Sequence, residues 1–278
     1  MGIIFSLIAF IQVAAQADSG TAESTPGTVT AAKPAPDAKF SLVATLSNNT
    51  NFYKLDAKGY NFYSEAVLNP SIKLHKYFSV FGVFVADQTW VNSKDFAISD
   101  GVLGFGTAAI KPVDGFSIAP TLRFLVPVST GSRTDTRTIT AVTLRNELSY
   151  NFETSGVKQL TLLTRLNLTK SFYEEEASVK GKSNTSTSFY FRSGAAWDFN
   201  DMFSLVFLGK RAWAWAYDGK VKNTYGLYEE FDFNVTPNFG LALGLGNEGA
   251  TAKDTGESSV YFFDNTSSEA YFQLVLSI

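Results

Sequence analysis

Residues 160–170 read Leu-Thr-Leu-Leu-Thr-Arg-Leu-Asn-Leu-Thr-Lys, or LTLLTRLNLTK. Wound as a helix, this stretch scatters its polar residues over every side. A period of two sorts it. Leu160, Leu162, Leu166 and Leu168 share one face with Thr164. Thr161, Arg165, Asn167 and Thr169 share the other, and Leu163 alone is out of place. A core strand of a water-soluble sheet has little use for Arg and Asn between leucines. The pattern predicts a strand lying between two solvents, one apolar and one aqueous.

The same alternation recurs along the chain. One face carries Phe116, Ile118, Leu122, Phe124, Val126 and Val128 in a fifth strand, and Val142, Leu144, Leu148, Tyr150 and Phe152 in a sixth. A ninth carries Phe203, Leu205 and Phe207, then Trp213, Trp215 and Tyr217. In an eleventh, Phe239, Leu241, Leu243 and Leu245 oppose Gly240, Ala242, Gly244 and Gly246. In the last, Phe272, Leu274, Leu276 and Ile278 oppose Tyr271, Gln273 and Ser277. Twelve strands are predicted: 39–50, 59–74, 77–91, 101–111, 115–128, 137–152, 157–172, 186–199, 203–217, 222–235, 239–249 and 267–278. Residues 250–266 are assigned to neither strand nor loop. Short turns of one design (HKYFSVFG, VDGFSIAP, NDMFSLVF, TPNFGLAL) alternate with longer polar loops such as 92–100, 129–137 and 173–186.

Composition sets the class. The chain has 278 residues, 23 basic and 26 acidic side chains, one His and no Cys. A net charge of −3 carries no signal for nucleic acid, and the lack of Cys excludes disulfides and thiolate chemistry. The 25 Phe and 12 Tyr suit strands. Residues 1–17, an apolar run ending Ala15-Gln16-Ala17, read as a secretory signal peptide too short to span a membrane. Residues 18–38 are Ala, Thr, Ser and Pro with little that can be buried, and read as a flexible linker.

Strands of about 12–15 residues exceed the common five or six. Aromatics gather at strand ends, short turns alternate with long loops, and the strand count is even. Together these predict an all-β fold over 39–278: an antiparallel transmembrane barrel of about twelve strands, with short periplasmic turns and long extracellular loops. The hairpin pattern and the terminal EAYFQLVLSI resemble the bacterial outer-membrane β-barrel proteins, porin-like ones among them. Those usually end in an aromatic residue, whereas this chain ends in Ile278 with Phe272 the nearest outward ring. The resemblance implies location in the bacterial outer membrane. It also implies contact with outer-membrane lipid and lipopolysaccharide, and handling by the barrel-insertion machinery.

With the apolar face toward lipid, Arg165 points into the lumen. Arg123, Arg145, Arg192 and Lys210 share its parity and lie seven or eight residues from the expected periplasmic strand ends. They are candidate basic pore-lining residues. Glu65, Asp87, Glu230 and Asp232 are candidate acidic ones on the facing wall, with Glu269 beside them, and Glu147 falls among the arginines. Such a wall sets solute selectivity. The chain is read as a channel for small polar solutes, leaning to anionic or zwitterionic ones. The alternative is a lumen plugged by ion pairs, with extracellular loops that bind a partner. Arg211 has lipid-facing parity, at a cost of roughly 2–4 kcal/mol near the midplane. A bulge near Gly209–Arg211, or a place above mid-depth, is expected there.

Other signals carry less. GLGNEG (244–249) has the spacing of a dinucleotide fingerprint, but its glycines alternate with leucines within a strand and no helix follows. His75 lies in a turn with no second base placed for a triad. Glu174, Glu175, Glu176 and Asp218 read as solvated loop carboxylates, a loop Ca²⁺ site being the alternative weighed. No enzyme activity, cofactor or metal is expected.

Overall fold

In a computed structural model, residues 39–53, 59–91, 95–152, 159–251, 260, 263 and 268–278 are described. The expected signal peptide and linker (1–38), and most of 250–266, lie outside them. Twelve barrel strands follow in chain order. They are β1 Phe40–Asn51, β2 Phe62–His75, β3 Phe78–Thr89, β4, β5 Phe116–Val126, β6 Thr138–Asn151 and β7 Leu160–Tyr173. Then come β8 Thr185–Asp198, β9 Phe203–Ala216, β10 Val221–Thr236, β11 Phe239–Ala250 and β12 Ser268–Ser277. β4 comes in three pieces, Phe96–Ile98, Gly101–Thr107 and Ile110–Val113. Every strand pairs antiparallel with its sequence neighbours, and β12 closes onto β1 from Val43↔Ser277 to Asn51↔Glu269. The result is a closed barrel, in which the end pieces of β4 pair on one side only among the described residues.

Alternation decides which way each side chain faces. Phe84, Leu103, Phe105, Leu168, Trp197 and Leu243 are 49–59 % exposed, and all face outward. Such a belt is not stable in water and matches the hydrocarbon of a bilayer. Among the described residues no helix is long and apolar enough to cross a membrane. The interior is filled differently on its two sides. Val67, Val83, Val85, Val102, Leu125 and Ala141 form one buried cluster. Leu163, Ala196, Val206, Leu208 and Tyr228 form another. Leu163, the odd residue of LTLLTRLNLTK, is therefore an inward side chain packed on β8 and β9.

Glycines admit aromatic rings to the interior. A Cβ added at Gly104 would sit 2.2 Å from the Phe81 ring, and one at Gly244 would sit 2.0 Å from Tyr271. The tip of each ring lies over the glycine directly opposite it. The glycines of GLGNEG are thus inside β11, opposite β12.

The fourth strand departs from the continuous 101–111 expected. It starts at Phe96 and breaks at Ser99–Asp100. The buried Asp100 carboxylate leaves the ladder there to accept the N–H groups of Val128 (3.0 Å) and Ser129 (2.8 Å), and the Ser132 hydroxyl. It thereby pins the β5–β6 loop, whose Gly131–Asp135 forms one helical turn. At the same end Asn184, 5 % exposed, ties loops together. Its side chain donates to the Thr136 and Glu175 carbonyls at 3.3 and 3.0 Å, and its carbonyl accepts Tyr217 N–H at 3.0 Å.

Replacing Gly104 with Ala should destabilise the barrel by about 1–3 kcal/mol through overpacking. Phe81→Ala in the same chain should recover part of that loss, read from urea midpoints by tryptophan fluorescence. Equal midpoints for Gly104→Ala with and without Phe81→Ala would contradict the ring-on-glycine contact.

Candidate functional site

Cross-strand register assembles the charged interior. One cross-strand row passes through Glu147 on β6, Arg165 on β7, Arg192 on β8, Lys210 on β9, Gly226 on β10 and Glu248 on β11. Three cations are therefore immediate neighbours, with a carboxylate at each end. At one end Arg165 donates to Glu147, Nε at 3.0 Å and Nη2 at 2.7 Å. At the other, Lys210 Nζ reaches Glu248 at 2.9 Å across a strand. Gly226 makes this reach possible, because it puts no side chain between them. Arg192 stands between two cations, with its guanidinium 5.1 Å from the Tyr228 ring.

Arg145 and Arg123 step away from this row. Arg145 is opposite Asn167, whose Oδ1 accepts from its Nε at 3.1 Å, and its Nη1 is 3.9 Å from Glu147. Arg123 is opposite Thr143, with its guanidinium 5.7 Å from the Phe81 ring. Rows run oblique to the barrel axis because the strands are tilted. The stagger therefore offsets the obliquity and keeps the five cations within a narrow band of depth. All five face inward and are at most 5 % exposed.

The acidic candidates divide. Glu65 on β2 and Asp87 on β3 are direct cross-strand partners on the wall facing β8, and Ser99 donates to Asp87 at 2.8 Å. Glu230 and Asp232 are also buried, but β10 adjoins β9, so they flank the basic wall instead of facing it. Tyr271 donates to Glu230 at 2.9 Å, its ring lying over Gly244 of the intervening strand. Ser204 donates to Asp232 at 3.4 Å. Glu269 on β12 accepts from Tyr63 at 3.2 Å.

Glu248, Tyr228 and Tyr271 are interior residues that the sequence reading did not select. Parity with Gly244 and Gly246 was the available signal for Glu248. The two tyrosines became visible only through the register that sets them beside Arg192 and Glu230. No bulge forms at Gly209–Arg211, where β9 keeps regular register with both neighbours. Arg211 faces outward, its guanidinium 5.4 Å from the Trp213 ring at the aromatic end of the strand. His75 packs in its turn against Tyr77, ring centroids 5.4 Å apart. Asp218 pairs with Lys220 at 2.7 Å and Glu175 with Arg137 at 2.8 Å.

No protein-family model matches the chain, and no curated protein matches its sequence. Solved structures match its shape. The COG4313 outer membrane channel from Pseudomonas putida F1 superposes with a TM-score of 0.61 at 10 % identity, over 89 % of this chain and 98 % of that one. The KdgM porin gives 0.52 at 7 % identity, over 85 % and 99 %. The NanC porin gives 0.51 at 13 % identity, over 84 % and 98 %. The fold is that of outer-membrane channels and porins.

Glu147→Gln removes the carboxylate charge to which Arg165 Nε and Nη2 donate. Loss of one partner of a buried pair costs about 3–5 kcal/mol. Glu147 keeps some water, its side chain being 22 % exposed. A loss of about 2–3 kcal/mol in urea unfolding is therefore expected. Glu147→Gln/Arg165→Met should restore most of it. A single variant as stable as wild type would contradict a stabilising Glu147–Arg165 pair.

Proposed function

We propose that the chain is a bacterial outer-membrane channel for passive diffusion of small polar solutes, with a preference for anionic or zwitterionic ones. One observation carries this reading. Arg165, Arg192 and Lys210 occupy consecutive positions of one interior row, with Arg145 and Arg123 beside them and carboxylates only at the row's ends. Like charges directly opposite each other across strands are destabilising. A lumen that needed only filling has no use for three in succession. This run of cations favours a solute carboxylate or phosphate, and the facing pair Glu65–Asp87 orients the positive end of a zwitterion. The five cations thus act as pore-lining binding groups, and Glu65, Asp87, Glu147, Glu230 and Asp232 as their acidic counterparts. Passage needs no covalent step and no cofactor. Outer-membrane lipid with lipopolysaccharide surrounds the barrel, and the barrel-insertion machinery places it there.

A second reading rests on the same residues. The ion pairs Glu147–Arg165 and Lys210–Glu248, with the close burial of their neighbours, also fit a barrel stapled shut, whose tied extracellular loops bind a partner.

Planar-bilayer recording separates the two. Wild type should give stable openings that favour chloride over potassium under a salt gradient. Arg192→Glu changes the charge by two units about 5 Å from a passing ion, worth about 1.7 kcal/mol at water's dielectric constant. The anion preference should fall more than tenfold. Silence from heat-modifiable, folded protein would overturn the channel reading and favour the closed barrel.

A further inference from the structure

The outward face holds a second charge pattern. Along the barrel strands, three outward positions carry charge: Lys170 on β7, Arg211 on β9 and Glu229 on β10. The remaining outward positions are apolar, aromatic, small or uncharged polar. Both cations are exposed and belong to the extracellular part of the strands, three and five residues below the strand ends Tyr173 and Ala216. Between them on β8 and β9, Phe189 and Trp213 stack at 5.7 Å with their planes 28° apart. Arg211 lies 5.4 Å from the Trp213 ring, and Lys170 lies 5.3 Å from Tyr217. Among the described residues neither cation forms an ion pair with an acidic side chain. Glu229 faces outward between Phe207 and Leu245, two rows deeper than Arg211, whose side chain instead takes the Trp213 ring.

Resting on the reading of the chain as an outer-membrane barrel, we infer that Lys170, Arg211 and the Phe189–Trp213 stack bind the phosphate headgroup of an outer-leaflet lipid. An unneutralised cation at a lipid-facing position is costly, and that cost falls toward the interface. Aromatic rings at this level mark the headgroup boundary. A ring supports a cation but leaves its charge uncompensated, so the cation still takes an anion. A phosphate carries the charge and acceptor oxygens that Arg and Lys donate to. The occupant is a phosphorylated lipid: the headgroup meets the two cations while its acyl chains lie along Leu166, Leu168 and Phe191, outward on β7 and β8.

The test uses full-length protein in nanodiscs of neutral phosphatidylcholine, with or without bisphosphorylated lipid A. The heat-modification midpoint is read by gel mobility. Wild type should gain about 5 °C or more from lipid A. Lys170→Leu/Arg211→Leu should lose most of that gain while melting no lower than wild type in the neutral disc. An equal gain in the double variant overturns the inference. So does the same gain from free inorganic phosphate, which needs no lipid. Glu229→Leu covers the competing arrangement, in which Arg211 turns down onto Glu229. A fall in the neutral-disc midpoint for Glu229→Leu, with no dependence of the lipid A gain on Lys170 and Arg211, would establish that arrangement instead. Channel silence in the bilayer experiment leaves this result untouched, because the midpoint reports folding in lipid and not conduction.

Discussion

Everything in this molecule depends on the seam between its first and last strands. In hydrocarbon an unpaired backbone N–H or carbonyl has no water to turn to, and each costs several kcal/mol. Pairing of β1 with β12 over nine residue pairs removes both edges at once. Closure then imposes two conditions on the sequence. Side chains must alternate between lipid and interior, and each strand's register must be compatible with both neighbours around the whole circumference. The first condition is local and can be read from one strand. The second is a property of the ring, and it decides which interior residues meet.

This separation explains what was legible. Alternation showed the barrel, the strand count and the inward direction of Arg123, Arg145, Arg165, Arg192 and Lys210, because parity needs only the next two residues. It also located the turns, where residues such as Gly115 adopt positive φ. The break in β4 was not legible. Asp100 leaves its ladder for backbone groups on Val128 and Ser129, almost thirty residues away, and no local pattern announces such a partner. Nor was the place of Glu230 and Asp232. Their strand lies beside the basic wall, and counting strands without their neighbours put it across the lumen.

Absent side chains shape the interior as much as present ones. Gly226 lets Lys210 pass over β10 to Glu248, and Gly244 lets the Tyr271 ring pass over β11 to Glu230. In both cases a side chain skips one strand and bonds to the next but one. Such contacts cannot be read from adjacent-strand pairing. A Cβ at either glycine meets a tyrosine ring, so these positions fix the lumen's shape as firmly as any large residue.

The charged row bears on function through its arrangement more than its composition. Interior ion pairs are common fillers, and alternating signs along a row would neutralise every member. Here the two carboxylates are spent at the ends, on Arg165 and Lys210, which leaves Arg192 with a cation on each neighbouring strand. The Tyr228 ring face offsets some of that repulsion but adds no formal negative charge. In the proposed channel, three cations in succession along one row favour an anion over a cation. In that proposal a solute must also be released, and the terminal glutamates serve that end. By holding Arg165 and Lys210, they limit how strongly the three cations can close together on one solute.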